Sequence, residues 1–208
     1  MRELTDEEKK VASDVVQKLQ KKCGCELQEI NVKVSSENKV PMFIAFDEYG
    51  EKLPKERWYI RLTHTSQDYF FPQMVYQYAH EYMHYILQIK FPSQDPKRDW
   101  FEEVICEAVS FYILSLKTKP EYKEYLKKTL KCYEKGDDCI ADFNEYLKSS
   151  HNQERPALKI SIDLFRLLSI PSYDRNYAEA EEVWSKILSY DATKNPMPLS
   201  RPDWLEAS

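Results

Sequence analysis

The sequence predicts an α+β fold, a small three-stranded sheet packed against a mostly helical remainder. Two observations predict it. Between residues 27 and 62 the apolar positions alternate, whereas before and after that stretch they recur at helical spacing. With 208 residues, 42% of them hydrophobic, the chain is long enough for one buried core. A single domain is expected over 1–195, with sheet and site helices at about 26–117, a helical part at about 118–195 and an extended tail at 196–208.

Thr5-Asp6-Glu7-Glu8 has the form of a capping box, and Val11, Ala12, Val15, Val16 and Leu19 follow on one helical face. Gly24 suits the left-handed residue that closes such a helix. Leu27–Val34, Met42–Phe46 and Trp58–Leu62 read as strands, separated by turn residues at Ser35–Asn38 and Asp47–Gly50. Pro72 fits the first turn of a helix running to about Lys90. Asp99 is placed to cap the next, with Glu102 three positions on, and this helix extends to about Lys117. Pro120 opens another to about Lys135, and helical patterns return near 138–150, 154–168 and 174–190 before the Pro-rich tail from Asn195.

Composition narrows the chemistry. The three glycines, Gly24, Gly50 and Gly136, lie too far apart to write a phosphate-cradling loop. A net charge of -5 argues against nucleic acid or an anionic membrane as partner. The start MRELTDEEKK lacks the form of a secretory leader, no apolar run reaches the roughly 18 residues of a membrane span, and five cysteines is an odd number. A cytoplasmic chain with reduced thiols is the expectation. Cys23-Gly24-Cys25 with Cys132 and Cys139 lacks the usual spacing of a structural zinc site, so these thiols are expected to be buried or idle.

The informative segment is His80-Glu81-Tyr82-Met83-His84, an H-E-x-x-H within the helix expected at 72–90. Side chains four apart lie about 40° apart around a helix, so the two imidazoles can share one ion. A catalytic zinc takes three protein ligands and keeps one position open. Glu81, about 100° further round, is placed to take a proton from an activated water. The third ligand is expected from the 100–117 helix, where Glu103 and Glu107 share a face and Glu107 falls within the stripe Trp100, Val104, Phe111, Leu114. A carboxylate in an apolar stripe is costly unless paired or bound to a metal. One of the two would bind the ion and the other orient a ligand histidine; the plain alternative is a pair of satisfied histidines and rim glutamates.

His80-Glu81-x-x-His84, an 18-residue gap and Glu103 within Trp100-Phe101-Glu102-Glu103 resemble the gluzincin zinc metallopeptidases, and within them the M1 aminopeptidases. The resemblance covers about residues 57–117. It implies a zincin-like fold, one zinc ion on His80, His84 and Glu103, Glu81 as general base, and a peptide or protein as substrate. Thermolysin-like members carry an acidic residue four positions after the ligand glutamate, bonded to a ligand histidine, and Glu107 stands there. The G-A-M-E-N exopeptidase signature is absent, so aminopeptidase activity is not implied. Glu107-Ala108-Val109-Ser110-Phe111-Tyr112 also resembles the E-G-x-A-x-Y run of the clan, which keeps Glu107 as the alternative ligand. Trp58–Leu62 is the candidate edge strand for substrate, His151, Tyr173 and Tyr177 are candidates for contacts over the metal, and His64 at the strand end reads equally as a surface residue or a substrate contact. The second functional reading is a catalytically silent relative that binds a protein partner through the same fold.

Overall fold

The computed structural model describes residues 1–36, 41–63, 70–92 and 100–135, together with 164–166, 168–169, 178, 181–182 and 185. Helix α1, Asp6–Cys23, starts as expected. Thr5 Oγ1 accepts from the Glu8 N–H at 3.3 Å, and Glu8 Oε2 accepts from the Thr5 N–H at 2.7 Å. Arg2 adds a two-pronged ion pair to the same carboxylate, at 2.6 and 2.7 Å. Gly24 ends the helix in the left-handed region, at φ 58°.

The sheet has four strands rather than three: β1 Arg2–Glu3, β2 Asn31–Ser35, β3 Met42–Ile44 and β4 Tyr59–Thr63, in the order β1-β2-β4-β3. The additional strand is two residues long, too short to show any alternation, and it forms because Arg2 and Glu3 lie antiparallel to Val34 and Lys33. β2 and β4 run parallel, and β3 pairs antiparallel with β4.

The first expected strand loses its opening residues. Carbonyls at Leu27 and Gln28 accept hydrogen bonds from the side chains of Gln20 and Tyr85, and the ladder begins only at Asn31. β4 is also not an edge. β2 occupies one side and β3 the other, so Trp58–Leu62 cannot accept an added strand, and the edge at this end of the sheet is β3.

Helix α2, Phe70–Lys90, begins two residues before the expected start, with Pro72 still in the first turn, where no intrahelical donor is needed. It buries residues almost all round, including Val75, Ala79, Met83 and Ile86, because it lies against α1, α3, β3 and β4 together. Helices α3, Trp100–Ser115, and α4, Pro120–Lys135, follow. Leu164 and Leu168 are buried in the same core, and Phe165 meets Phe111 edge-on at 5.8 Å.

The expected helices at 138–150 and 174–190, the tail from Asn195 and the Asp99 cap lie outside the described residues or largely so; within 154–168 the described residues 164–166 are helical. Among the described residues no helix is long and apolar enough to cross a membrane.

Candidate metal centre

The site lies between α2 and α3, the pair of helices most extensively packed on each other. One turn of α2 separates His80 from His84, and their rings meet at 4.9 Å between centroids and 64° between planes. Their Nε2 atoms are 3.2 Å apart. From α3 the Glu103 carboxylate faces both nitrogens, with Oε2 3.1 Å from His80 Nε2 and Oε1 3.2 Å from His84 Nε2. One ligand atom from each of these residues lies within 4.8 Å of the others, and the group could hold a metal ion.

Each histidine presents its remaining nitrogen to a second carboxylate. His80 Nδ1 is 3.1 Å from Glu107 Oε2, and His84 Nδ1 is 2.5 Å from Glu102 Oε1. The Tyr76 hydroxyl donates to the other oxygen of Glu107, so Tyr76, Glu107 and His80 form a chain of three. Both rings thereby have their orientation set and Nε2 aimed inward, the arrangement in which an outer carboxylate fixes the tautomer of a metal-binding histidine. Glu103 stands against both Nε2 atoms and Glu107 against Nδ1, so the two glutamates of one helix face differ in what they touch.

Electrostatics follow the same geometry. Burial by itself disfavours a charged His80, but hydrogen bonds to Glu103 and Glu107 override it and hold its pKa well above the usual histidine range. Burial likewise opposes ionisation of Glu103, and His84 and His80 overcome it, keeping that carboxyl well below the usual range. The pocket therefore contains a carboxylate and ring nitrogens that require a proton or another cation between them.

Glu81 is buried on the sheet side of α2, where its Oε2 accepts the Phe43 N–H of β3 at 2.5 Å. This contact crosses 38 residues of sequence and ties the candidate base to the edge strand. Two partners escaped sequence reasoning. Glu102 was read as a capping residue of α3, and the turn that brings it to His84 follows only from the packing of the two helices. Tyr76 stands one turn before His80 on α2, where an aromatic residue signals packing; its ring does pack, 5.8 Å from Phe111 and 6.1 Å from Tyr125, while its hydroxyl reaches Glu107. His64, His151, Tyr173, Tyr177 and the side chain of Trp100 lie outside the described residues.

No protein-family model matches this chain, nor does any curated protein or solved structure, so its likeness to the gluzincins rests on His80, Glu81, His84 and Glu103 and their spacing.

Proposed function

We propose that the chain is a zinc-dependent peptidase, holding one zinc ion on His80 Nε2, His84 Nε2 and the Glu103 carboxylate. The observation that supports this most directly is the close grouping of the donors, the two Nε2 atoms 3.2 Å apart and each facing its own oxygen of the Glu103 carboxylate, at 3.1 and 3.2 Å. Ligands at about 2.0–2.1 Å in tetrahedral array lie about 3.3–3.4 Å from one another, so this donor set fits zinc with little rearrangement. Two imidazoles and one carboxylate, with a position left open, are also the donor types of a catalytic rather than a structural zinc. Zinc, when bound, polarises a scissile carbonyl and lowers the pKa of the attacking water.

The remaining work falls to the chain's own groups. Glu81 takes the water proton and passes it to the leaving amine, with the Phe43 N–H fixing which way its carboxylate faces. Glu107 and Glu102 accept from the Nδ1 nitrogens and keep both rings in place. Tyr76 anchors Glu107 in turn.

One contact favours the second reading, a silent metallopeptidase-like protein that binds a protein partner. The bond from Phe43 gives Glu81 a structural role that needs no turnover. Metal analysis and cleavage of a quenched peptide library separate the two. Near one equivalent of zinc with turnover that falls at least 100-fold in Glu81→Gln supports the peptidase. Zinc without any turnover supports the silent form. Less than about half an equivalent, with no stabilisation by added zinc, overturns both.

A further inference from the structure

Helix α4 carries a row of like charge on its outer side. Lys123, Lys127 and Lys131 follow one another at intervals of four residues, Lys119 stands four residues ahead of them just before the helix, and all four are exposed. Residues four apart lie about 6 Å apart along a helix axis and about 40° apart around it, so the ammonium groups form one slanting stripe. With Lys128, the stretch 119–131 holds five lysines against Glu121 and Glu124, in a chain whose net charge is -5.

Lysines elsewhere in the chain meet acids. Lys18 pairs with Asp14 at 2.7 Å, Lys22 with Glu181 at 2.6 Å, and Lys117 also reaches Asp14. Among the described residues Lys119, Lys123, Lys127 and Lys131 form no ion pair, although Glu124 stands three positions before Lys127. Like charges four apart repel and weaken a helix. Lys119 and Lys123 also stand at the end of α4 where the helix dipole is positive. The helix is held from its inner side instead, where Tyr122 is buried and Tyr125 packs on Tyr76 at 6.1 Å. The stripe thus stays in water at an electrostatic cost that a matching set of anions would remove.

We propose that this stripe is a docking surface for a partner protein's helix that carries Asp or Glu at every fourth residue. Such a helix repeats its carboxylates at the same rise of about 6 Å, and rows four apart on two helices run alongside each other when the axes cross at about -50°. A straight acidic strand does not follow the slant of the lysines around α4. Nucleic acid and an anionic bilayer match less well. Their charge extends far beyond the stripe and meets the chain's net charge of -5, whereas a short helix feels chiefly the lysines within a Debye length of about 8 Å. Tyr122 and Tyr125 also turn inward, so neither offers a ring on which a base could stack. A partner seated there lies on the outer side of a helix whose inner side reaches the candidate metal centre through Tyr125, Tyr76 and Glu107.

Fluorescence anisotropy of the full chain with a labelled, alanine-based helical peptide, its glutamates spaced four apart, tests this. Binding is expected at low salt and should weaken about 10-fold between about 50 and about 300 mM NaCl. Replacing Lys123, Lys127 and Lys131 together by Ala should cost about 10-fold, and replacing the same three by Arg should restore binding. A peptide of the same composition with its glutamates in one block should bind the wild type about 5-fold more weakly. Equal binding of the two peptides, undiminished binding by the alanine variant, or no binding at all overturns the proposal. So does tighter binding of a single-stranded DNA oligonucleotide or of phosphatidylserine vesicles, which would assign the stripe to phosphate. The salt series and the comparison of peptides use the wild type alone, and so decide the matter even where the alanine variant loses its fold.

Discussion

His84 places both ring nitrogens against carboxylates from α3, Glu102 on one side and Glu103 on the other, and His80 does the same with Glu107 and Glu103. The three glutamates should therefore differ measurably. Glu103→Gln, which alters the proposed direct ligand, is expected to remove most zinc affinity. Glu107→Gln and Glu102→Gln, which leave an acceptor for Nδ1 but remove its charge, should each cost about 10- to 100-fold, read by competition with a chelator. If Glu107→Gln abolishes binding and Glu103→Gln does not, the ligand assignment is reversed. Tyr76→Phe should weaken binding less than either, since it acts through Glu107.

At the scale of the element, α1 carries its own pH dependence. The hydrogen bond from Arg2, then the bond from the Thr5 backbone and the charge of Arg2, hold Glu8 at about 2, against the resistance of burial. A carboxyl lowered on folding contributes stability that is complete above its unfolded value near 4.5 and is lost as pH falls toward 2. Arg2→Ala should thus destabilise the chain at neutral pH by about 1 kcal/mol and lose that effect as pH falls toward 2, measured by urea unfolding across the range. An equal deficit at both ends would mean that the salt bridge is not the source. Gly24→Ala meets no atom within 4 Å, so its cost is that of a left-handed backbone alone, about 1 kcal/mol.

For the whole molecule, α2 is the central element. It touches α1 through Gln20 and Tyr82, whose side chains hydrogen-bond at 3.1 Å, the sheet through Glu81 and Phe43, and α3 through the candidate metal centre. An ion held between α2 and α3 binds the folded chain and not the unfolded one, so zinc at 100 times its dissociation constant should add about 2.7 kcal/mol. In a chain of this size that corresponds to a rise of roughly 5–10 °C in Tm. His84→Ala should abolish the rise without removing the fold. A rise that persists in the variant would place the ion elsewhere.

The sequence by itself determined much of this. The capping box of α1, the period change into the sheet, the start of α4 and the pairing of His80 with His84 are all local consequences of residue type and spacing, and each is present as read. It also narrowed the candidate for a third ligand to one face of one helix. The rest was decided between elements. Strand order is not encoded in alternation, so the burial of β4 between β2 and β3, and the two-residue β1, emerged only from the pairing. The same holds for Glu102, whose spacing equally suited a cap, and for the Phe43 bond to Glu81. Which carboxylate faces which nitrogen depends on the rotation of α3 against α2, and the packing of two helices depends on the shapes of the side chains between them rather than on sequence spacing, with Val104, Ala108 and Phe111 of α3 all buried.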